Sequence, residues 1–97
     1  MASTFQTPTK KLRNLARGRE CMVRLSVCNG DPETTVLAHV RMNGISGIGH
    51  KAPDLLGAWC CSACHALADT NRNFELDFLR GVMRTQAQLI KEGWVKW

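Results

Sequence analysis

Four cysteines have the side-chain chemistry and the spacing of a metal site. Cys61 and Cys64 are separated by two residues, so both thiolates can bind one ion. Cys21 and Cys28 lie well upstream and are separated by six residues. Together the two pairs supply a tetrahedron of sulfur ligands, which is the arrangement that structural zinc prefers. We therefore predict one zinc ion held by these four thiolates.

A fifth cysteine leaves the ligand set open. Cys60 could replace Cys61, because the pair Cys60-x3-Cys64 can also reach one ion, and ordinary buried thiols are a further alternative. Five cysteines do not fit a complete disulfide framework. The first nine residues are polar and do not have the pattern of a secretory signal. We therefore expect the reducing cytoplasm, where cysteine clusters more often bind metal than form disulfides.

Three histidines could add reactive chemistry. His39 ends a β-branched stretch, where it is either a core residue or a neutral base that takes a proton from water. His65 directly follows Cys64, so a bound zinc would fix its backbone. It is alternatively a zinc ligand or a residue on an exposed helix face. His50 follows the glycine-rich stretch 43–49 and is expected to be exposed, with contact to a phosphate as the alternative.

Charge favours a polyanionic partner. The chain carries 13 Lys and Arg against 8 Asp and Glu, a formal net charge of +5. Nucleic acid is the commonest such partner, although a solubilising basic face gives the same count. No apolar run approaches the roughly 18 residues of a membrane span, so none is expected. The basic residues crowd the first quarter of the chain: Lys10, Lys11, Arg13, Arg17, Arg19 and Arg24.

The elements that must position these residues predict a small α+β fold. We expect a disordered arm at 1–9 and a single domain at 10–97. A short basic helix at 10–16 stops at Gly18. Strands at 22–27 and 34–40 form a β-hairpin through the turn at 29–32, which contains Asn-Gly-Asp-Pro.

Two further helices are predicted in the second half. One covers 62–69 and begins at the metal site. The other covers 74–94, with Asn71 or Asn73 as its cap and Gly81 as a weak point. The glycine-rich stretch before them is expected to let backbone approach a partner closely. The long helix has an apolar stripe that we expect to pack in the core: Leu76, Leu79, Met83, Ala87, Ile90 and Trp94.

The order of these features resembles a known family. A cysteine pair, a strand histidine, a glycine-rich loop and a Cys-x2-Cys-His motif are typical of the zinc-containing HNH endonucleases, also called His-Me finger or ββα-metal nucleases. The similarity is closer still to the YbcO-like nucleases of phages and prophages. Their runs are matched at 17–21 (Arg-Gly-Arg-Glu-Cys), 28–30 (Cys-Asn-Gly), 32–34 (Pro-Glu-Thr), 37–39 (Leu-Ala-His) and 61–65 (Cys-Ser-Ala-Cys-His).

The resemblance implies a metal-dependent DNA endonuclease. His39 would be the general base, and Asp54 stands where the HNH motif usually has asparagine. His65 would bind a catalytic divalent ion such as Mg²⁺, distinct from the structural zinc. The carboxylate that usually precedes the base is Ala38 here, so another acid must contribute. Asp69, four residues after His65 on the same helix face, is the first candidate, and Asp54 is the second.

Nucleic acid binding is expected at the basic residues. Arg41 and the basic N-terminal segment would hold DNA phosphates in a salt-sensitive way. A non-catalytic, zinc-stabilised nucleic-acid-binding module is the alternative, since Ala38 departs from the nuclease pattern. A third class is a small adaptor that binds a host protein through its C-terminal helix. The exposed back of that helix also leaves a homodimer open.

Overall fold

Two strands and three helices form the regular structure of residues 9–42 and 52–95, the part of the chain that the computed structural model describes. The predicted arm lies outside this part except for Thr9, as do the glycine-rich stretch and His50. Short 3-10 turns precede both strands and the last helix. The elements are, in order, α1 (Thr9–Leu15), β1 (Val36–His39), β2 (Gly57–Cys60), α2 (Ser62–Thr70) and α3 (Glu75–Lys91).

The two strands pair with each other in an antiparallel ribbon. Val36 lies opposite Cys60, and His39 lies opposite Gly57. The predicted hairpin between 22–27 and 34–40 was therefore wrong. β1 pairs instead with β2, the residues that precede the second cysteine pair. The predicted turn at 29–32 is present, but it leads from an irregular segment into a 3-10 turn rather than joining two strands.

Residues 22–27 alternate in burial like a strand, but their backbone is not that of a strand. Val23 and Leu25 are buried, and Arg24 between them is exposed. Arg24 has a φ of +57°, a left-handed conformation that ends an extended run. Met22 still donates one backbone hydrogen bond to Trp59 O at 2.7 Å. The alternation therefore reports burial correctly, while the turn that brings Cys21 toward Cys28 prevents a strand.

The ribbon separates two apolar clusters. Ala38, Ala58 and Cys60 face one cluster, whereas Trp59 and Leu37 face the other, as expected for side chains that alternate across a strand. All four residues of β2 are buried. The first cluster contains the cysteines and part of α3; the second is formed by Trp59 with Leu12, Ala16 and Leu89.

The helix α3 packs on β2 through a face that the sequence did not predict. Its buried residues are Gly81, Val82, Thr85 and Leu89. Thr85 donates its hydroxyl to Gly81 O at 2.8 Å and accepts from Trp59 N at 3.0 Å, which ties helix to strand. The predicted apolar stripe is not the core face: of its residues only Leu79 is half-buried, while the others are exposed.

The remaining helices are close to their predicted positions. The helix α1 begins and ends one residue earlier than the helix predicted at 10–16. Gly18, the predicted stop, lies after it with a φ of +81°. The helix α2 begins directly after Cys61, which caps it. The predicted asparagine caps the 3-10 turn before α3 rather than α3 itself, because Asn71 Oδ1 accepts from Asn73 N at 2.9 Å. No helix within the described ranges is long and apolar enough to cross a membrane.

Candidate metal centre and catalytic cleft

The four predicted cysteines come together. The Sγ atoms of Cys21, Cys28, Cys61 and Cys64 all lie within 4.8 Å of one another. Thiolates bound to zinc at about 2.3 Å in a tetrahedron are about 3.8 Å apart. Cys61 Sγ lies 3.8 Å from Cys28 Sγ, and all five cysteines are free thiols. The donor set therefore fits a zinc ion in type, number and spacing.

The structure distinguishes Cys61 from Cys60. Burial raises the pKa of the Cys61 thiol, but hydrogen bonds from the backbones of Cys64 and Asn29 and from neighbouring thiols outweigh it and bring that pKa to about 7. Cys60 points to the apolar core, where burial raises its pKa far above the ordinary value, and nearby thiols add to the rise. Position separates the two cysteines: the group of thiols whose Sγ atoms lie within 4.8 Å of one another contains Cys61 and not Cys60, so the alternative ligand set is disfavoured.

The candidate metal centre is built from two segments that are distant in sequence. The left-handed turn at Arg24 reverses the chain between Cys21 and Cys28, and Cys28 N donates to Leu25 O at 2.9 Å. The second pair lies at the start of α2, where Cys64 N donates to Cys61 Sγ at 3.4 Å. A bound ion would therefore fasten α2 to the loop at 21–28.

His39 and Asp54 form a close pair. His39 Nε2 lies 2.5 Å from Asp54 Oδ1, and the Asp54 side chain is almost fully buried. The second carboxylate oxygen lies 3.4 Å from Arg13 Nε. The register explains the pairing: His39 lies opposite Gly57, and Asp54 is in the turn that enters β2 just before it. The carboxylate is thus positioned to orient the imidazole.

A second pair lies on α2. His65 Nε2 lies 3.5 Å from Asp69 Oδ2 in the expected i, i+4 relation, and Arg41 Nε lies 3.7 Å from Asp69 Oδ1. Ala38 is buried opposite Ala58, so β1 offers no carboxylate at the position before the histidine. Asp69 is therefore the carboxylate that stands beside His65.

One cleft is lined by one member of each pair, His39 and Asp69, whereas Asp54 and His65 are not among its lining residues. It has a volume of about 200 Å³ and lies between the end of β1 and the α2–α3 junction. His39 and Asp69 both line it, and Arg41 lies at the same cleft. Arg72 and Glu75 also line it, and sequence reasoning missed both. Their residue types gave no signal, because only the turn between α2 and α3 brings them beside His39.

The predicted catalytic ligands are less closely gathered than the cysteines. Within the described residues, the four cysteines are the only group of three or more His, Cys, Asp or Glu ligand atoms that lie within 4.8 Å of one another. His39, His65 and Asp69 therefore do not form a ready three-ligand cage.

The predicted DNA-binding residues are in different situations. Arg17 is exposed, and Arg41 is largely exposed beside Asp69. Arg13 is half-exposed and contacts Asp54. Arg19 makes two hydrogen bonds to Glu92, at 2.5 and 2.7 Å, and stacks on the Trp59 ring. Lys10 and Lys11 lie on α1, and their side chains are outside the described part.

Comparison with protein families identifies the group to which this arrangement belongs. Residues 10–94 match the family described as "Putative nuclease YbcO". The chain belongs to the YbcO family. The match includes both cysteine pairs, His39, Asp54, His65 and Asp69, so the metal centre and the cleft lie within the family's extent.

Relatives and a solved structure agree with the YbcO assignment. Relatives from Escherichia coli (strain K12) and Enterobacteria phage 82, both described as "Putative nuclease YbcO", are each 49% identical over 92 residues, which is 88% of this chain and 96% of the relative. A solved structure described as "a putative bacteriophage protein" from Escherichia coli K-12 has a TM-score of 0.71 and 42% identity, and covers 86% of this chain and 100% of its own. The family is thus one of phage and prophage proteins.

Proposed function

We propose that this protein is an HNH-type endonuclease that hydrolyses phosphodiester bonds in DNA at the cleft beside His39. The observation that carries the proposal is the His39–Asp54 pair at a cleft that Asp69 also lines, in a chain of a family described as nucleases. The cysteine site, holding zinc, would be structural. The formal net charge of +5 suits a polyanionic substrate.

His39 is the proposed general base. The carboxylate of Asp54 accepts a hydrogen bond from Nε2–H, which leaves the lone pair of the neutral imidazole on Nδ1. Nδ1 can then take a proton from the attacking water, and Asp54 stabilises the imidazolium that results. Arg13 holds the second oxygen of the carboxylate and so limits its rotation.

His65 and Asp69 are the proposed holders of a catalytic divalent ion. They offer one imidazole nitrogen and one carboxylate, and Glu75 lines the cleft together with Asp69 as a further carboxylate. Such an ion, when bound, stabilises negative charge on the phosphate and on the leaving oxygen. A mixed nitrogen and oxygen set of this kind suits Mn²⁺ or Ni²⁺ as well as Mg²⁺. The substrate phosphate would complete the ligand set.

Substrate binding is proposed for the arginines around the cleft. Arg41 and Arg72 line the cleft. Arg17, which is exposed just after α1, adds further positive charge. Contacts of this kind hold phosphates without reading sequence, so affinity should fall steeply with salt. Arg19 is left out of this interface because Glu92 and Trp59 already occupy its guanidinium.

Cleavage of supercoiled plasmid tests the proposal. Zinc-loaded protein is incubated with plasmid and Mg²⁺, Mn²⁺ or Ni²⁺, and nicking is followed over time. We expect nicking that requires the added ion. His39→Ala should abolish most of it, and Asp54→Asn should lower the rate by about 10²–10⁴-fold, because the base loses its charged partner and its fixed tautomer.

Two measurements make the result decisive. Zinc content and thermal stability of each variant must match the parent, so that loss of nicking reflects the cleft. Val36→Ala, an exposed strand residue away from the cleft, serves as a matched control and should nick normally. DNA that is bound but uncut with every ion would favour the non-catalytic binding module, for which the buried Ala38 is the specific structural argument.

A further inference from the structure

Two arginines outside the cleft meet at one short stretch of backbone. Arg24 Nε donates to Cys21 O at 3.3 Å, and Arg24 Nη2 lies 3.6 Å from Met22 Sδ. Arg84 Nη1, on α3, donates to Met22 O at 2.7 Å. Both arginines are exposed. We call these two residues the arginine pair.

Neutral groups hold the arginine pair in place. Within the described residues, neither Arg24 nor Arg84 forms an ion pair with a carboxylate, and this includes Glu20, the acid next to Cys21 in sequence. A carbonyl oxygen orients a guanidinium without neutralising it, and each guanidinium has more N–H donors than these contacts use. The arginine pair therefore keeps its charge and has donors left for an anion. The arginines that do pair with a carboxylate are Arg13, Arg19, Arg41 and Arg80.

The backbone of Arg24 adopts a conformation that arginine does not favour. Its φ of +57° lies in the left-handed region, where glycine or asparagine fits better. Among the described residues, no other residue except glycine has a positive φ. Strained backbone of this kind is concentrated at functional sites. The turn alone would be met by glycine, so the arginine at this position is explained by what its side chain does.

Positive charge extends from the arginine pair along α3. At about 100° per residue, Arg80 and Lys91 lie within about 40° of Arg84 around the helix axis. Arg80 pairs with Asp77 at 3.5 Å and so adds little net charge, whereas Lys91 is exposed in the last turn. Residues 84 and 91 are about 10 Å apart along the axis. The positive surface is therefore elongated, which suits a polyanionic chain better than a single small anion.

We propose that the arginine pair binds a backbone phosphate of DNA, at a second site outside the cleft. Two guanidinium groups that contact the same residue, Met22, can direct N–H donors to the oxygens of one phosphate. Arg84 lies about 180° around the axis of α3 from Glu75, which lines the cleft. The second site therefore holds a part of the DNA that does not enter the cleft. This inference rests on the proposed function for its partner, DNA, but it concerns binding rather than cleavage.

Fluorescence anisotropy with a labelled DNA duplex tests the second site. The zinc-loaded, full-length protein is titrated at several salt concentrations, and every protein also carries His39→Ala so that cleavage does not contribute. Arg24→Gln and Arg84→Gln should each weaken binding by about fivefold at low salt. Each should also lower the slope of log affinity against log salt by about one, because one phosphate contact is lost. The double variant should lower that slope further than either single variant.

Val36→Glu is the matched control, because it changes the net charge by the same amount as each arginine variant. Val36 is exposed on β1, and β2 lies between it and Met22, so this variant should keep the parental slope. Zinc content and circular dichroism verify that each variant is folded, and Arg84→Gln on α3 decides alone if Arg24→Gln disturbs the metal loop. Arginine variants that match Val36→Glu in affinity and slope would overturn the second site. A parent that binds no DNA at low salt would overturn the proposed function as well.

Discussion

At the scale of single residues, the pairing of His39 with Asp54 depends on where the two strands stop. His39 is the last residue of β1, and the facing Gly57 is the first of β2. Asp54 therefore enters the space beside the imidazole from a turn rather than from a strand. The carboxylate at this position gives His39 a charged partner.

The choice between Cys60 and Cys61 gives a prediction at the same scale. Cys61→Ser should reduce zinc to well below one equivalent per chain and lower the unfolding temperature, because one of four ligands is lost. Cys60→Ser should retain about one equivalent of zinc. Its cost is limited to a buried hydroxyl in the apolar core, about 1–3 kcal/mol. Elemental analysis of the purified variants gives the metal content, and thermal melting gives the stability.

Matched chemistry makes this pair of variants informative. Both changes replace one sulfur by oxygen at neighbouring, fully buried positions. Loss of zinc from Cys60→Ser with retention in Cys61→Ser would show that the ligand assignment is reversed. Equal stability of the parent with and without metal would contradict a structural role for zinc.

At the scale of elements, α3 lies against the loop that carries Cys21. A Cβ added at Gly81 would lie 2.8 Å from Val23 Cγ2, 3.0 Å from Val23 Cα and 3.1 Å from Met22 O. The glycine is therefore required by close approach of backbone rather than by its own φ. This contact joins the long helix to the segment between the first cysteine pair, and so connects α3 with the metal centre.

Gly81→Ala should destabilise the protein, although alanine is the better helix former. Alanine gains about 1 kcal/mol of helix propensity. Overpacking a tight contact costs about 1–3 kcal/mol, so the net effect should be a loss. Chemical denaturation measures the change in the free energy of unfolding. Val23→Ala in the same chain removes the nearest contact and should make the added methyl group less costly; a stabilised Gly81→Ala protein would contradict the close approach.

At the scale of the whole molecule, the end of α1 is fastened to the end of α3. Arg19 makes a two-pronged contact with Glu92 and lies over the Trp59 ring, 4.7 Å from its centre. The Arg19 guanidinium thus connects the ends of α1 and α3, which are far apart in sequence, with Trp59 on β2. The hydrogen bond from Arg19 contributes most to lowering the Glu92 pKa to about 2, and the Gln88 amide adds to it.

This contact predicts a pH-dependent difference between the parent and Glu92→Gln. The pKa of Glu92 is lower in the folded state than its ordinary value of 4.5. Its stabilisation is therefore present above about pH 4.5 and is lost as pH falls toward 2. Glu92→Gln should melt at a lower temperature at pH 7, and the gap should narrow in acid. The gap should also shrink in high salt, because the pair is partly exposed.

Acid also protonates the zinc thiolates, so the comparison uses the difference between the two proteins. Metal loss should be common to both and cancel in that difference. A gap that stays constant from pH 7 to pH 3 would show that the ion pair contributes nothing. Arg19→Lys offers a second check, because lysine cannot reproduce the two-pronged contact.

The sequence by itself predicted the cysteine group and the local helices. The spacing indicated the cysteine group because two cysteine pairs offer four soft ligands, the number that a tetrahedral zinc site needs. The helix predicted at 62–69 is observed at Ser62–Thr70, and its geometry gives the expected i, i+4 relation of His65 with Asp69. These features depend on residues close in sequence, or on chemistry that only one partner type satisfies.

Tertiary structure alone decided the strand pairing, the faces of α3 and the composition of the cleft. The segment at 22–27 alternates like a strand, yet a left-handed residue inside the metal loop prevents one, and β1 pairs with β2 instead. The helix α3 has two apolar faces, and periodicity cannot say which one meets β2. The face that packs on β2 is the one with Gly81, whose missing side chain lets Val23 approach closely, and with Thr85, whose hydroxyl accepts from Trp59 N. Long-range packing decides such matters, because the free energy of each face depends on what the rest of the chain places against it.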